Sequence, residues 1–464
     1  MQLKEKSLFN EVRDTLERVK KSKGEGFYGY TVTENQSLSR QALFLGMESG
    51  EMDSYQNRLS EDSSCRVQIY ARHGNPLMMG NSGFTVDPLF PVQSQIEKCF
   101  ENAGISKNQP WDLVMPPELP YADVRICDPE IEGDLERAAE SLKERIQKTI
   151  KNLEGVRVNS AELFVNYHSI HTETSTGVVM DKRRGDIYFE VAMEKLPGPN
   201  SQEVHRYLRG TALEQIQIEK FIEDTALETR SLGDTIVPGT DENAVILVDG
   251  EVVSDFIHAL TEQLNADHEY QKLPYMPVGQ KIYPAKLFPD ADSVSVTMDP
   301  FIPMMSESSP FTHEGMPAER AEVIKDGTVA AQIVSNRMGQ YLARKSNGIC
   351  GNFVMQDGSL SKEQLIASVD ECIEIISFSS LLINPHTLTW SSEIKLGRLH
   401  RKGSSPVMVK GGVASGDIRQ NFAGCRFGSE HVVISAVADQ WHPAKGYSGP
   451  DSMLIRSGVK IAGE

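Results

Sequence analysis

Gly233-Asp-Thr-Ile-Val-Pro-Gly-Thr-Asp241, followed by Ala244-Val-Ile-Leu-Val248 and Glu251-Val-Val-Ser-Asp-Phe-Ile-His-Ala-Leu-Thr-Glu-Gln-Leu264, divides this chain. Glycine, proline and aspartate break regular structure, so the first segment is the candidate domain boundary. The apolar run after it reads as a buried strand. Val252 to Leu264 then reads as a helix, because Val253, Phe256, Ile257, Leu260 and Leu264 recur at helical spacing and predict one buried face. The division predicts an α+β fold in two parts: an α+β unit over residues 1–235 and a strand-rich, mainly β unit over 240–464.

Upstream, Leu8, Phe9, Val12, Leu16 and Val19 share one helical face, stopped by Gly24 and Gly26. Phe27 to Leu45 has strand-like alternation, and Asp62-Ser-Ser-Cys65 reads as a turn into the strand Arg66 to Tyr70. Leu135, Ala138, Leu142, Ile146 and Ile150 make a second amphipathic helix that Asp134 can cap. Ala161–Ile170 and Asp186–Met193 form a hairpin-like pair, the second alternating strictly. Glu203 to Thr229 reads as one helix, with Val204, Tyr207, Leu208, Ala212, Ile216, Ile222 and Ala226 on its inner side. Downstream, Asp326-Gly327 predicts a hairpin and Ser361 with Gln364 a capping box. Gly411-Gly-Val-Ala-Ser-Gly-Asp417 reads as a tight loop or bulge, since no apolar helix is expected after it, with a phosphate nest as the alternative.

Composition narrows the function. The 464 residues suit two or three domains, and 39% hydrophobic with 24% charged residues is ordinary for a globular protein. A formal net charge of −18 repels phosphate backbones, so no nucleic-acid partner is expected. The charged N-terminal stretch does not read as a secretory signal, and no run of 18 apolar residues predicts a membrane span. Six scattered cysteines without a C-x-x-C suit a reducing cytoplasm, not a disulfide framework or a cysteine zinc site.

No phosphate-binding loop or nucleophile elbow occurs, so histidines are the place to seek chemistry. His168 and His171 are three apart in an extended segment and therefore fall on opposite faces. His258 and Glu262 are adjacent on one helix and read as a local hydrogen bond or ion pair, or as two zinc ligands lacking a third. In His313-Glu314-Gly315-Met-Pro317 the proline stops any helix a zinc motif would need. That segment is a candidate cleft lining, or merely a turn before Pro317.

Phe311-Thr-His-Glu-Gly-Met-Pro317 with Ile324-Lys-Asp-Gly-Thr-Val329 resembles the "D-D-E-G-x-P … I-x-x-G" segment of the TldD/PmbA family, also called modulators of DNA gyrase. Asn352 to Ile366 is similar to that family's "N-x-Y-x-x-x-G … E-E-L-I" stretch, and Gly411 to Ile418 resembles its "G-x-V-S-G-D-F". Ile383-Asn-Pro-His-Thr-Leu388 and Glu173-Thr-Ser-Thr-Gly177 fit in order, so the likeness covers about residues 27 to 464. The resemblance implies an α+β first half and a strand-rich second half, dimerising around a cleft. It also implies that active members carry H-E-x-x-x-H on the helix matching Glu251–Leu264, with a cysteine downstream. Here that helix holds one histidine and no His-Glu pair, and neither Cys350 nor Cys425 matches the catalytic cysteine. The closest likeness is to the PmbA/TldE branch, the members without metal.

The resemblance thus predicts a subunit without catalytic residues or cofactor, acting in cytoplasmic proteolysis or peptide maturation. Its partner is itself or a TldD-type catalytic subunit, and its ligand is an extended or unfolded peptide. An alternative is an active zinc metallopeptidase with a rearranged site drawn from His258, Glu262, His313 or Glu314. A third is a regulator of DNA gyrase.

Overall fold

The computed structural model describes residues 7–46, 52–196, 203–232, 235–283, 285, 288–438 and 444–463. Gly233 and Asp234 of the expected boundary lie outside the described residues. Alternation over very long runs builds the first sheet. Strands β1 (Phe27–Gly46), β2 (Met52–His73), β3 (Met78–Thr85), β4 (Val156–Thr174), β5 (Val179–Lys195) and β6 (Glu203–Gly210) pair antiparallel in the order β3-β2-β1-β4-β5-β6. The register sets Val32 beside Val67, Leu163 beside Phe189 and Val165 beside Ile187, all buried, so one face is apolar.

Helices close that face. α1 (Ser7–Lys23) and α2 (Val92–Ala103) cover one end with Phe9, Val12, Leu16, Ile96 and Cys99. α3 (Pro129–Gly133), α4 (Leu135–Lys151) and α5 (Ile218–Ser231) cover the other with Ile131, Leu142, Ile146, Ile222 and Ala226. Asp134 caps α4 by accepting from the Arg137 amide at 3.1 Å, as its position predicts. The opposite face is polar, carrying Asn166, His168, Lys182, Arg184, Asp186, Tyr188 and Glu190 in register.

The second half begins with β7 (Ile246–Asp249) and α6 (Gly250–Glu262). Short α7 (Ala266–Gln271), α8 (Asn336–Tyr341), α9 (Lys362–Ala367) and α10 (Ile418–Ala423) punctuate strands that, among the described residues, form two more sheets. One has six strands: β8 (Val296–Asp299), β9 (Ala321–Lys325), β10 (Thr328–Val329), β11 (Asn352–Val354), β18 (His431–Ala436) and β19 (Lys445–Pro450). The other centres on β7, β12 (Glu371–Phe378) and β14 (Thr389–Arg401). It is extended by β13 (Leu382–Asn384), β15 (Val407–Val409), β16 (Val413–Asp417), β17 (Cys425–Phe427), β20 (Ser452–Ile455) and β21 (Val459–Ala462). α6 packs into their shared core with Val253, Phe256, Ile257 and Leu260 fully buried, joined by Leu264 just past its end.

Three local expectations are overturned. Residues 203–210 form β6 rather than the start of a helix, because their backbone completes the edge of β5 from Ile187 to Glu194. Asp62-Ser-Ser-Cys65 is not a turn: β2 runs straight through it, laddered onto Glu34 to Ser37 of β1. A helix does follow Asp417, whose carboxylate caps α10 at the Arg419 and Gln420 amides, 2.9 and 3.2 Å away. Ile418, Asn421 and Phe422 form its buried side, a spacing too short to stand out in the sequence.

The two halves interlock. The Thr211 hydroxyl donates to Met304 O at 2.6 Å, Tyr341 donates to Gln109 O at 2.7 Å, and Met304 N donates to Arg125 O at 2.8 Å. Among the described residues no helix is long and apolar enough to cross a membrane.

Candidate functional site: a charged cleft along helix α6

Glu251, Asp255, His258 and Glu262 occur at helical spacing on α6, opposite its buried stripe, so all four point to one side. That side faces a cleft of about 910 Å³. Tyr188, His205 and Tyr207 of the first sheet form one wall, and the β12–β13 segment from Ile375 to Ile383 forms another. The cleft therefore opens where the polar sheet face meets the second half.

Lys445, the first residue of β19, closes the N-terminal part of this stripe. Its ammonium lies 2.9 Å from Glu251 Oε2 and 2.9 Å from Asp255 Oδ1. Burial opposes its charge, but the two carboxylates outweigh burial and hold it well above the ordinary lysine range. Burial likewise opposes ionisation of Glu251, yet Lys445 prevails and lowers it. For Asp255 burial wins, and its carboxyl is raised. Asp249 caps α6 at the Val252 amide, 3.1 Å away. The enclosing walls, aided by the Glu251 charge, push it up to about 6.

The expected candidates fall into two separate places. His258 Nε2 is 3.4 Å from Glu262 Oε1, the local contact that their spacing predicts, and its hydrogen bond holds Glu262 below the usual carboxylate range. His313 is exposed. The Glu314 carboxylate accepts from the Asn336 and Arg337 amides at 2.6 and 3.3 Å and so caps α8. Gly315 has φ +91, and its carbonyl accepts from Tyr121 at 2.6 Å; a Cβ there would sit 2.7 Å from Val178 Cγ1. His313 and Glu314 do not line the cleft.

This donor set does not fit a zinc site. Glu251 and Asp255 are engaged by an ammonium, His258 by Glu262, and among the described residues no three His, Cys, Asp or Glu side chains gather to hold a metal ion. Cys425 is buried behind α10, donating to Phe422 O at 3.3 Å. A second groove, of about 670 Å³, lies between α4 and α5, but there Arg145 is already paired with Glu219 at 2.7 Å.

Lys445 is the residue that sequence reasoning missed. It lies 190 residues from Asp255 in an unremarkable strand, so no local pattern points to it. Of the α6 stripe, the meeting of His258 with Glu262 was legible from spacing alone, whereas Glu251 and Asp255 were not singled out.

Residues 241–457 match the family described as the PmbA/TldA metallopeptidase C-terminal domain. A metalloprotease PmbA homolog of Buchnera aphidicola is 26% identical over 131 residues, a match spanning 28% of this chain and 28% of that relative. Solved structures of the same fold include a modulator of DNA gyrase from Bacteroides thetaiotaomicron, with TM-score 0.77 and 16% identity over 99% of this chain and 100% of that one. TldE from Thermococcus kodakarensis gives TM-score 0.74 and 14% identity, covering 97% of this chain and 100% of its own. A modulator of DNA gyrase from Thermotoga maritima gives 0.72 and 15%, covering 98% and 100%.

Proposed function

For this chain, which belongs to the TldD/PmbA family, we propose a role in cytoplasmic peptide processing as a non-catalytic subunit that holds extended peptide in a dimer cleft. The observation that carries this reading is the Lys445 ammonium set between Glu251 and Asp255. In the active members the matching helix is where H-E-x-x-x-H would sit. Here a fixed cation already neutralises that stretch of helix, and a buried ammonium that donates to two carboxylates cannot also polarise a peptide carbonyl as a metal does.

Holding a peptide needs polar walls and open backbone edges rather than a metal. The cleft supplies Tyr188, His205 and Tyr207 along one side. β6 pairs with β5 only from Ile187 onward, so from Val179 to Asp186 the described ladder of β5 is with β4 alone. The partner is a second copy or, on the stronger reading, a TldD-type subunit that brings its own H-E-x-x-x-H. Direct contact with nucleic acid is disfavoured by the −18 net charge.

The test is reconstitution. The chain is mixed with a TldD-type subunit, the complex is sized by light scattering, and cleavage of an unstructured peptide is followed for each chain and for the mixture. Cleavage that requires both chains supports the proposal. Chelator-sensitive cleavage by this chain alone, lost in His258→Ala, would establish the rearranged-site alternative instead.

A further inference from the structure

Lys182 and Arg184 stand two residues apart on β5 and so project from the same, polar face, about 7 Å apart at the backbone. Ile170 lies directly across from Lys182 and His168 across from Arg184. Both cations are half-buried. Among the described residues, neither side chain has a carboxylate at ion-pair distance or a hydrogen-bond partner, and Arg184 Nε is enclosed with nothing to donate to. Three other arginines also enclose an unpartnered nitrogen. Each of those has an acid in place: Arg72 with Asp112 at 3.2 Å, Arg426 with Asp290 at 3.1 Å, and Arg456 with Asp290 at 3.0 Å. Arg184 is the exception.

The neighbouring groups compensate the pair only in part. Asp186, which accepts from Asn166 at 3.0 Å, favours the charge of Arg184, and Glu307, across the gap on the second half, favours that of both cations, but neither acid is within ion-pair distance of them and burial outweighs both. Cys350 could oppose Lys182 only as a thiolate, but burial pushes its thiol up to about 11. His168, which burial and Arg184 hold down to about 4, stays neutral. Burial lowers Lys182 and Arg184 as well, with Arg184 adding to the effect on Lys182. Two adjacent half-buried cations without an anion in contact are costly, and a planar two-oxygen anion offsets that cost by accepting from the guanidinium fork and the ammonium together.

We propose that Lys182 and Arg184, with His168 beside them, form a carboxylate-binding site on the polar face of the first sheet. The carboxylate belongs to a peptide, either its C-terminus or an Asp or Glu side chain; that source rests on the peptide-holding role proposed above. A chain of net charge −18 that keeps two cations without a contacting acid on this face selects acidic ligands there against its own average field.

The experiment uses the full chain and two kinds of probe. N-acetylglycine and its amide are titrated while the His168 ring resonances are followed by NMR, which tests the site without any peptide. Expected is a saturable shift with the acid, absent with the amide and absent in Lys182→Gln/Arg184→Gln, with Arg184→Lys retaining part of it. Equal response to acid and amide, or an unchanged response in the double variant, overturns the site. The double variant should melt no lower than the parent, since it removes an unbalanced pair of charges. Labelled unstructured peptides then locate the source: free C-terminus, amidated, and amidated with one Glu. A preference of tenfold or more for either acidic form, erased in the double variant, supports the proposal. If N-acetylglycine binds but no peptide does, the carboxylate site stands and the peptide-holding role falls.

Discussion

Lys445 Nζ lies 2.9 Å from Asp255 Oδ1, which joins the first residue of β19 to the middle of α6 across 190 residues of chain. Because the ammonium also reaches Glu251, removing it leaves two carboxylates facing each other on one helix. Lys445→Met should therefore destabilise the chain by about 1–3 kcal/mol, below the figure for a fully enclosed pair because Glu251 is partly open to water. Adding Glu251→Gln and Asp255→Asn should restore most of the loss in urea unfolding. No recovery would mean that the lysine acts through its aliphatic stem instead.

Phe256 is fully buried, with ring centroids 5.5 Å from Trp390 and 6.4 Å from Phe422. Truncation to alanine removes that packing and leaves a cavity, so Phe256→Ala should cost about 3–5 kcal/mol. A shift of the denaturation midpoint equivalent to less than ~1 kcal/mol would contradict the packing of α6 described above.

Glu374 carries a pH prediction. Its side chain is 8% exposed and accepts from Lys362 at 2.6 Å, Arg398 at 2.9 Å and His400 at 2.9 Å. Burial alone would raise its carboxyl, but these partners outweigh burial and hold it down to about 2. The folded value lies below the unfolded one, so this contribution is complete above about 4.5 and is lost as pH falls toward 2. Glu374→Gln should cost roughly 2–4 kcal/mol at neutral pH, and the gap to the parent should close between those two values. A gap independent of pH would refute the assignment.

Glu314→Ala tests the role of the segment before Pro317. Because the carboxylate caps α8 at two amides, the substitution should lower stability by about 0.5–2 kcal/mol. Normal melting with impaired peptide handling by the complex would instead make Glu314 a ligand-contacting group.

If peptide is held in a cleft between two subunits, as proposed above, a dimer should form in solution. Light scattering at micromolar concentration that returns the 51.5 kDa monomer would leave a heterodimer with a catalytic partner as the remaining form.

Periodicity by itself determined α1, α4, α6 and the β4–β5 pair, because an element with one face in a core must repeat its apolar residues at its own helical or strand spacing. The meeting of His258 with Glu262 was legible for the same reason, and the lack of a His-Glu pair on that helix is plain in the sequence. Residues 203–210 were not, since apolar Val204 and Leu208 fit a helix or a strand equally and the edge of β5 made the choice. The polar run at Asp62 to Cys65 looked like a turn locally, but the ladder with β1 satisfies its backbone and keeps it extended. Only the tertiary structure brought Lys445 to α6, turned Glu314 onto α8, and left Lys182 and Arg184 side by side without an acid at ion-pair distance. Local spacing records which face of an element is buried; it holds no record of which distant side chain will meet that face, because long-range pairing is set by how the sheets and helices pack.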